Sequence, residues 1–167
     1  MESAILENES VPGIQIQDRS GKYLVFALGR EEFGIRVMQV REIMGLQDIT
    51  AAPRTPAHVR GVINLRGKVI SVVDLRLRFG LPPQEYTQRT CIIVVQVKGV
   101  SGRPVEMGVV VDSVVEVLSL TCSDIEDTPS CHEGTVPYGS LGMARVKDKV
   151  KILLEIEEVL TGRDTGL

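Results

Sequence analysis

The segment from Gly61 to Arg76, GVINLRGKVISVVDLR, constrains the fold more than any other part of the sequence. It places two apolar, β-branched runs on either side of an Arg-Gly pair, a pattern typical of antiparallel strands joined by a tight turn. Gly67 can take a positive φ without steric cost, as such a turn requires. The turn by itself has no such need for Asn64 or Arg66, so these two side chains are predicted to serve something that the hairpin touches.

Strand-like runs occupy most of the remaining sequence. Hydrophobic residues make up 43% of the 167 residues but aromatic residues only 4%, so Val, Ile and Leu must build the core. β-branched side chains favour strands because they suit a pleated surface. The predicted strands are 22–28, 33–37, 40–44 and 91–97, with a helical turn at 56–60 and a segment at 152–160 that begins as a strand and ends as a helical turn.

The two halves of the chain resemble each other. Residues 33–44 lie over 107–118 without a gap, and a glycine, a glutamate and the apolar positions coincide. Further on, residues 61–75 lie over 142–156, again without a gap. Two similar patterns in the same order indicate two copies of one small β unit.

The predicted organisation follows from this repeat. A flexible N-terminal tail, 1–20, precedes a domain that covers 21–167. The domain consists of two similar subdomains, about 21–90 and 91–160, and an exchange of strands between them is left open. Each copy holds about five strands, few enough for a small barrel with an aliphatic core.

The tips of the two hairpins differ although the flanking strands agree. Asn64, Leu65, Arg66 and Gly67 of the first copy lie over Arg-Val-Lys-Asp at 145–148 of the second. Either the first tip has a role of its own, or the residues of an exposed turn have diverged in sequence without a functional reason. The residues alone leave both explanations open.

Composition excludes several classes of function. The net charge of −3 argues against nucleic-acid binding, which needs concentrated Lys and Arg. Three cysteines, an odd number without paired spacing, indicate a reducing compartment. The sequence has neither a signal-peptide pattern nor an apolar run long enough to span a bilayer, so we expect a soluble cytoplasmic protein.

Catalytic patterns are also missing from the sequence. There is no glycine-rich phosphate loop, and nothing marks a nucleophile by its neighbours. Cys122, Cys131 and His132 leave a metal enzyme as an alternative, but they lack a fourth ligand at the usual spacing. We therefore predict no catalytic residues, no metal and no cofactor.

An ordered series of motifs resembles CheW, the family of chemotaxis coupling proteins. The Asn-Leu-Arg-Gly hairpin is the most specific part, and the resemblance covers nearly everything after the tail. The motifs are YLVFALG at 23–29, FGI at 33–35, VREI at 40–43, GVINLRG at 61–67, VVDLR at 72–76 and GVVVD at 108–112. The resemblance implies an all-β fold of two small SH3-like five-stranded β-barrels, packed side by side, with short helical turns.

The resemblance also implies a function. It implies a non-catalytic adaptor that couples the cytoplasmic tips of methyl-accepting chemoreceptors to the regulatory domain of the histidine kinase CheA. Such an adaptor is cytoplasmic, binds no nucleic acid, does not insert into the membrane, and is recruited to the inner membrane face through receptor arrays. A CheW-like coupling protein of a non-flagellar signalling pathway is left open.

Two sets of residues receive roles from the same resemblance. Those implied in receptor binding are Glu42, Asn64, Leu65 and Arg66. Those implied in kinase binding are Leu24, Val37 and Val40, although their apolar pattern alone favours a place in the core.

Overall fold

Strands dominate the part of the chain that the computed structural model describes, residues 18–99, 101–127 and 139–161. The predicted tail, 1–20, lies outside these ranges except for its last three residues. The strands are β1 (Gly21–Leu28), β2 (Glu31–Arg36), β3 (Val40–Gly45), β4 (Val59–Leu65), β5 (Lys68–Asp74), β6 (Cys91–Lys98), β7 (Pro104–Val111), β8 (Ser113–Leu120), β9 (Ile125–Glu126), β10 (Ser140–Val146) and β11 (Lys149–Leu154). The α-helices are Leu75–Arg78 and Ile156–Thr161, and short 3-10 helices lie at Val37–Gln39 and Cys122–Asp124.

The strands form two sheets that each draw on both halves of the chain. A six-stranded sheet has the order β8-β1-β2-β11-β10-β9, and a five-stranded sheet has the order β3-β6-β7-β5-β4. All pairings are antiparallel except β2 with β11 and β5 with β7. The five-stranded sheet therefore repeats, strand for strand, the order and the relative directions of β8-β1-β2-β11-β10 in the six-stranded sheet. The predicted all-β fold of two similar five-stranded units is confirmed.

The chain crosses from the six-stranded sheet to the five-stranded sheet between β2 and β3, and it crosses back between β7 and β8. β3 follows β2 in the chain but pairs with β6, and β8 follows β7 but pairs with β1. Both connections are short, so the two sheets are tied together by two crossings of the chain. This arrangement holds the two units together as one body.

The chain that leaves β3, and likewise the chain that leaves β8, returns to the opposite edge of the same sheet. Beyond β3, Thr50 and Val62 exchange backbone hydrogen bonds of 2.9 and 2.8 Å, and beyond β8 the short strand β9 pairs with β10. A Cβ on Gly61 would lie 2.0 Å from the Thr50 carbonyl oxygen, and one on Gly142 2.7 Å from that of Glu126. Only glycine fits these crossings, which explains why the two glycines coincide in the repeat.

Three apolar clusters hold the fold together. One lies inside the five-stranded unit, one inside the six-stranded unit, and the largest between the two sheets. Strands β1 and β6 are buried on both faces, since Tyr23 and Ile92 face the interiors of their own units while Leu24 and Ile93 face the cluster between the sheets. Double burial accounts for the near-continuous apolar runs of these two strands.

Two details of the predicted secondary structure change. The helical turn expected at 56–60 is wrong: a turn closed by the Val59 amide and the Pro56 carbonyl at 3.0 Å leads directly into β4. Val37, expected at the end of a strand, begins a 3-10 helix instead. The expectation for 152–160 is confirmed, because β11 is followed by the helix Ile156–Thr161.

Candidate functional site

The hairpin between β4 and β5 ends in a two-residue turn. Leu65 pairs with Lys68, and the residues between them, Arg66 and Gly67, have φ values of 52° and 83°. Two successive positive φ values are characteristic of the type I′ turns that suit the twist of hairpins. Arg66 thus occupies a conformation that a non-glycine residue rarely adopts.

Asn64 stabilises this turn through its side chain. Its Oδ1 atom accepts a hydrogen bond of 2.8 Å from the backbone N–H of Gly67. The expectation that the hairpin has no need of Asn64 is therefore wrong, because the amide holds the tip in shape. The second half of that expectation, a role for Arg66 outside the turn, stays a prediction.

Arg66 and Glu42 form an ion pair across the opening of the five-stranded unit. Arg66 Nη1 lies 2.8 Å from Glu42 Oε1, and the two side chains are 73% and 26% exposed. The Glu42 carboxylate raises the pKa of the Arg66 guanidinium above its ordinary value, first through this hydrogen bond and then through its charge. The pair joins strand β3 at one edge of the sheet to the β4–β5 tip at the other. An ion pair as exposed as this one contributes little to the stability of the fold. Most N–H donors of the Arg66 guanidinium remain available to a partner.

An exposed apolar side chain lies on the same hairpin as Arg66. Val69, which pairs with Asn64 across the hairpin, is 67% exposed. The sequence analysis missed Val69. Its alternation with Ile70, which points inward, and exposed Ser71 is the signal that could have identified it.

Leu65 lies beneath the tip. It is buried and packs in the cluster inside the five-stranded unit with Ile63 and Ile70. The structure thus brings Glu42, Asn64 and Arg66 together at the surface, whereas Leu65 anchors the hairpin from below.

The residues predicted to bind the kinase also divide into one buried residue and others nearer the surface. Leu24 is only 2% exposed and belongs to the cluster between the sheets, the position that its apolar pattern alone favours. Val37 and Val40 are half-buried and pack on the rim of that cluster. Met38, between them, is 80% exposed and was missed by the sequence analysis. No periodic signal marks it, because a 3-10 helix interrupts the strand pattern there.

A β-bulge in β3 separates the two sets of residues. Val40 pairs with Val95 of β6, and Glu42 pairs with the adjacent Val94, so one residue of β3 is left without a partner. In an uninterrupted strand, residues two apart share a face. Here Val40 packs on the cluster between the sheets, while Glu42 reaches the hairpin tip. One short strand therefore serves two surfaces, as bulges near functional sites often allow.

The family follows from comparison with known proteins. The model of the CheW-like domain matches residues 22–164. The chain belongs to the CheW family. Two CheW relatives are the chemotaxis protein CheW of Klebsiella aerogenes, 34% identical over 87% of this chain and 85% of the relative, and the probable chemotaxis protein CheW of Rhizobium etli, 36% identical over 83% and 86%.

A solved CheW structure supports the same assignment. The crystal structure of the scaffolding protein TtCheW from Thermoanaerobacter tengcongensis superposes with a TM-score of 0.76. It is 31% identical in sequence, and the similarity covers 89% of this chain and 97% of that chain. The resemblance seen in the sequence motifs is confirmed.

The alternative of a metal enzyme was based on Cys122, Cys131 and His132. Within the described ranges, no three His, Cys, Asp or Glu side chains are grouped as metal ligands. Cys131 and His132 lie outside the described residues, and Cys122 is exposed, with its Sγ atom 3.2 Å from Asp18 Oδ1. Among the helices that the structure describes, none has the length and apolarity needed to cross a bilayer.

Proposed function

We propose that this chain is a non-catalytic adaptor of bacterial chemotaxis. It holds the cytoplasmic tip of a methyl-accepting chemoreceptor and the regulatory domain of the histidine kinase CheA at the same time, in the cytoplasm at the inner membrane face. The relatives named for chemotaxis and the one described as a scaffolding protein support the pathway and the adaptor role. Binding two partners at once raises the effective concentration of each for the other and sets their relative orientation.

The bulge in β3 is the observation that carries this proposal. Val40 on one side of the bulge and Glu42 on the other belong to two surfaces that face different directions. Two surfaces on one strand suit an adaptor, because a displacement of the strand at one surface also displaces the residues that it contributes to the other surface. The physical requirement for coupling is such a shared element whose position both partners influence.

The receptor surface consists of the ion pair and its surroundings. Arg66 presents a planar fork of donors, Asn64 holds the turn, and Val69 adds exposed apolar area. A receptor helix that carries an acidic group beside an apolar stripe fits this combination, in the manner of a helix bound in a groove. Leu65 contributes by anchoring the hairpin.

The kinase surface consists of the half-buried valines at the start of β3. Val37 and Val40 offer apolar area on the rim of the cluster between the sheets. Leu24 acts from beneath, since its side chain supports that cluster. The kinase contact is thus apolar and the receptor contact largely polar, so the two can be separated by substitution.

Kinase autophosphorylation with receptor-bearing membranes and CheA tests the proposal. Wild type, Arg66→Ala and the matched control Lys147→Ala, at the equivalent tip of the second copy, are compared. We expect wild type and Lys147→Ala to activate the kinase and Arg66→Ala to lose activation while still binding the kinase. Equal loss in both variants, or none in either, contradicts the receptor assignment. Failure of wild type with cognate flagellar partners contradicts the chemotaxis role, and activation by partners from a non-flagellar signalling cluster then assigns that pathway instead.

A further inference from the structure

The carboxylate of Asp112 connects the two sheets. Asp112 lies between β7 of the five-stranded sheet and β8 of the six-stranded sheet. Its Oδ2 atom accepts a hydrogen bond of 2.7 Å from the backbone N–H of Gly29, in the turn between β1 and β2, and one of 2.7 Å from Arg76 Nη1. The Gly29 turn belongs to the six-stranded sheet, whereas Arg76 lies on the helix that directly follows β5 of the five-stranded sheet. One oxygen atom therefore joins both sheets at the β7–β8 crossing.

Further contacts hold the Arg76 side chain in place. It is only 13% exposed, and its Nε atom donates a hydrogen bond of 3.0 Å to the Pro82 carbonyl oxygen. The backbone N–H of Arg76 donates to Asp74 Oδ1 at 3.0 Å, which caps the helix. A Cβ atom on Gly29 would lie 3.4 Å from Arg76 Nη1, so the turn packs directly on the guanidinium. The guanidinium is thus held by both of the elements that it connects.

The crossing between β2 and β3 has a different residue at each of these positions. Met38 lies over Asp112 in the repeat, and Glu157, one residue beyond the second aligned segment, lies over Arg76. The Met38 side chain is 80% exposed and carries no charge. Glu157 Oε2 accepts a hydrogen bond of 2.7 Å from the backbone N–H of Lys98, on β6, and not from the crossing segment. The charged contact on the crossing residue is therefore present in one copy only.

The β2–β3 crossing segment itself, Val37–Gln39, is only loosely held. None of its residues is fully buried. Its side chains make a single hydrogen bond with the residues that the structure describes, from Gln39 Nε2 to Glu155 Oε2 at 3.4 Å, which is longer than most protein hydrogen bonds. A groove of about 590 Å³ lies beside the segment and is lined from both sheets, by Arg36 of β2 and Gln96 of β6 among others. The sheets have room to move at this crossing.

We propose that Arg76 is a positioning residue that, through Asp112, fixes the orientation of the two sheets relative to each other. The large apolar cluster between the sheets attracts them, but the hydrophobic effect is non-directional. Hydrogen bonds between charged groups are short and geometrically specific, so they select one orientation. Without Arg76, the sheets slide over the cluster, and the displacement is largest at the β2–β3 crossing.

The two proposed binding surfaces depend differently on this orientation, a consequence that rests on the proposed function. Glu42 and Arg66 both belong to the five-stranded sheet, so the receptor surface moves as one body. The kinase surface combines Val40 of that sheet with Leu24 of the six-stranded sheet, so its shape depends on how the sheets are placed. If loss of the Arg76 contact leaves the binding orientation populated about 10% of the time, kinase affinity falls about tenfold.

Residual dipolar couplings of the backbone amides test the positioning role without any partner. Full-length wild type is compared with Arg76→Met, which keeps an apolar stem but loses the side-chain donors. Lys151→Ala is the control, a destabilised variant whose lost ion pair lies within the six-stranded sheet. We expect one alignment tensor to fit both sheets in wild type and in Lys151→Ala, and two different tensors in Arg76→Met. A single tensor in Arg76→Met, or two tensors in Lys151→Ala, overturns the proposal.

Two further variants make the test decisive. If Arg76→Met does not fold, Arg76→Met/Asp112→Asn, which also removes the unpaired carboxylate, takes its place with the same two outcomes. Arg76→Lys keeps a cation for Asp112 and should restore the single tensor. Two tensors in Arg76→Lys would mean that the ion pair with Asp112 does not orient the sheets.

Affinities for the CheA regulatory domain and for a receptor tip fragment, measured by calorimetry on the same proteins, test the consequence. Kinase binding about tenfold weaker in Arg76→Met, with unchanged receptor binding, supports it. Equal kinase affinities beside two tensors overturn the consequence and leave the positioning role supported. If wild type binds neither partner, the proposed function fails, and the dipolar couplings still decide the positioning role.

Discussion

The two hairpin tips share a backbone but differ in chemistry. Arg66 and Lys147 both have a φ of 52°, and the residues that follow them, Gly67 and Asp148, have φ values of 83° and 66°. Arg66 pairs with Glu42 of β3, at the opposite edge of the sheet, whereas Lys147 makes no ion pair with any described residue. The fold therefore dictates the turn and leaves the side chains free. A cation that is paired at one tip only supports the role proposed for this tip.

The hairpins differ again one step below the tip. A lysine–glutamate pair recurs at equivalent positions, Lys68 with Glu106 at 3.3 Å and Lys149 with Glu32 at 3.6 Å. The second copy adds Lys151, whose side chain is only 5% exposed and pairs with Glu32. In the first copy, the equivalent position is an isoleucine of the core. The second hairpin thus has a buried ionic contact where the first has apolar packing.

Lys151→Ala should have the largest effect on this comparison. The substitution leaves the Glu32 carboxylate with only the exposed Lys149, at 3.6 Å, as an ion-pair partner. Loss of one member of a buried pair costs about 3 kcal/mol. Urea unfolding followed by circular dichroism measures it. Lys149→Ala is the control, expected to cost less than about 0.5 kcal/mol; equal effects would show that the pair is not a buried one.

Exchange of the tips tests whether chemistry or backbone carries the receptor role. In Asn64→Arg/Arg66→Lys/Gly67→Asp, the first tip takes the polar residues of the second. We expect the protein to fold, because both tips use the same φ region, but to bind a receptor tip fragment more than about tenfold less tightly. Arg145→Asn/Lys147→Arg/Asp148→Gly, the reverse exchange, should leave binding unchanged. A first-tip variant that binds normally would place the receptor contact elsewhere.

Acid should weaken the second hairpin through Glu32. Its hydrogen bond with Lys151 lowers the pKa of the Glu32 carboxyl below the ordinary value of 4.5. The stabilisation is therefore present above the unfolded-state pKa and is lost as the pH falls through the lower folded-state pKa. Unfolding free energies of wild type and Glu32→Gln should differ near neutral pH and converge as the pH falls through the lowered folded-state pKa of Glu32. Curves that remain parallel would exclude Glu32 as the titrating group.

Asn64→Ala should have the smallest effect. It removes the hydrogen bond to the Gly67 amide, which is exposed and so contributes about 0.5–1 kcal/mol to stability. Arg145→Ala, at the equivalent position of the second hairpin, should change stability by less than about 0.5 kcal/mol. Thermal unfolding compares the two, and similar shifts would mean that the Asn64 bond contributes nothing of its own.

Local patterns predicted much of this fold and part of its candidate site. Apolar, β-branched runs and turn residues indicated β1, β3 and the β4–β5 hairpin, because strand propensity and positive φ are properties of the residues and their nearest neighbours in the chain. The repeat indicated two equivalent units. The motif resemblance implied the roles of Glu42 and Arg66 but not their ion pair, since the strands that carry them lie at opposite edges of a sheet.

The sequence by itself determined that strands build the fold, that the chain turns at Arg66 and Gly67, and that two copies of one unit are present. Only the tertiary structure decided that the chain crosses between the sheets at β2–β3 and β7–β8, and that β1 is buried on both of its faces. It also decided that a bulge sends Val40 and Glu42 to different surfaces. The reason is physical: a pattern of period two states which residues share a face, but not which element covers that face. One extra residue in a strand reverses the assignment.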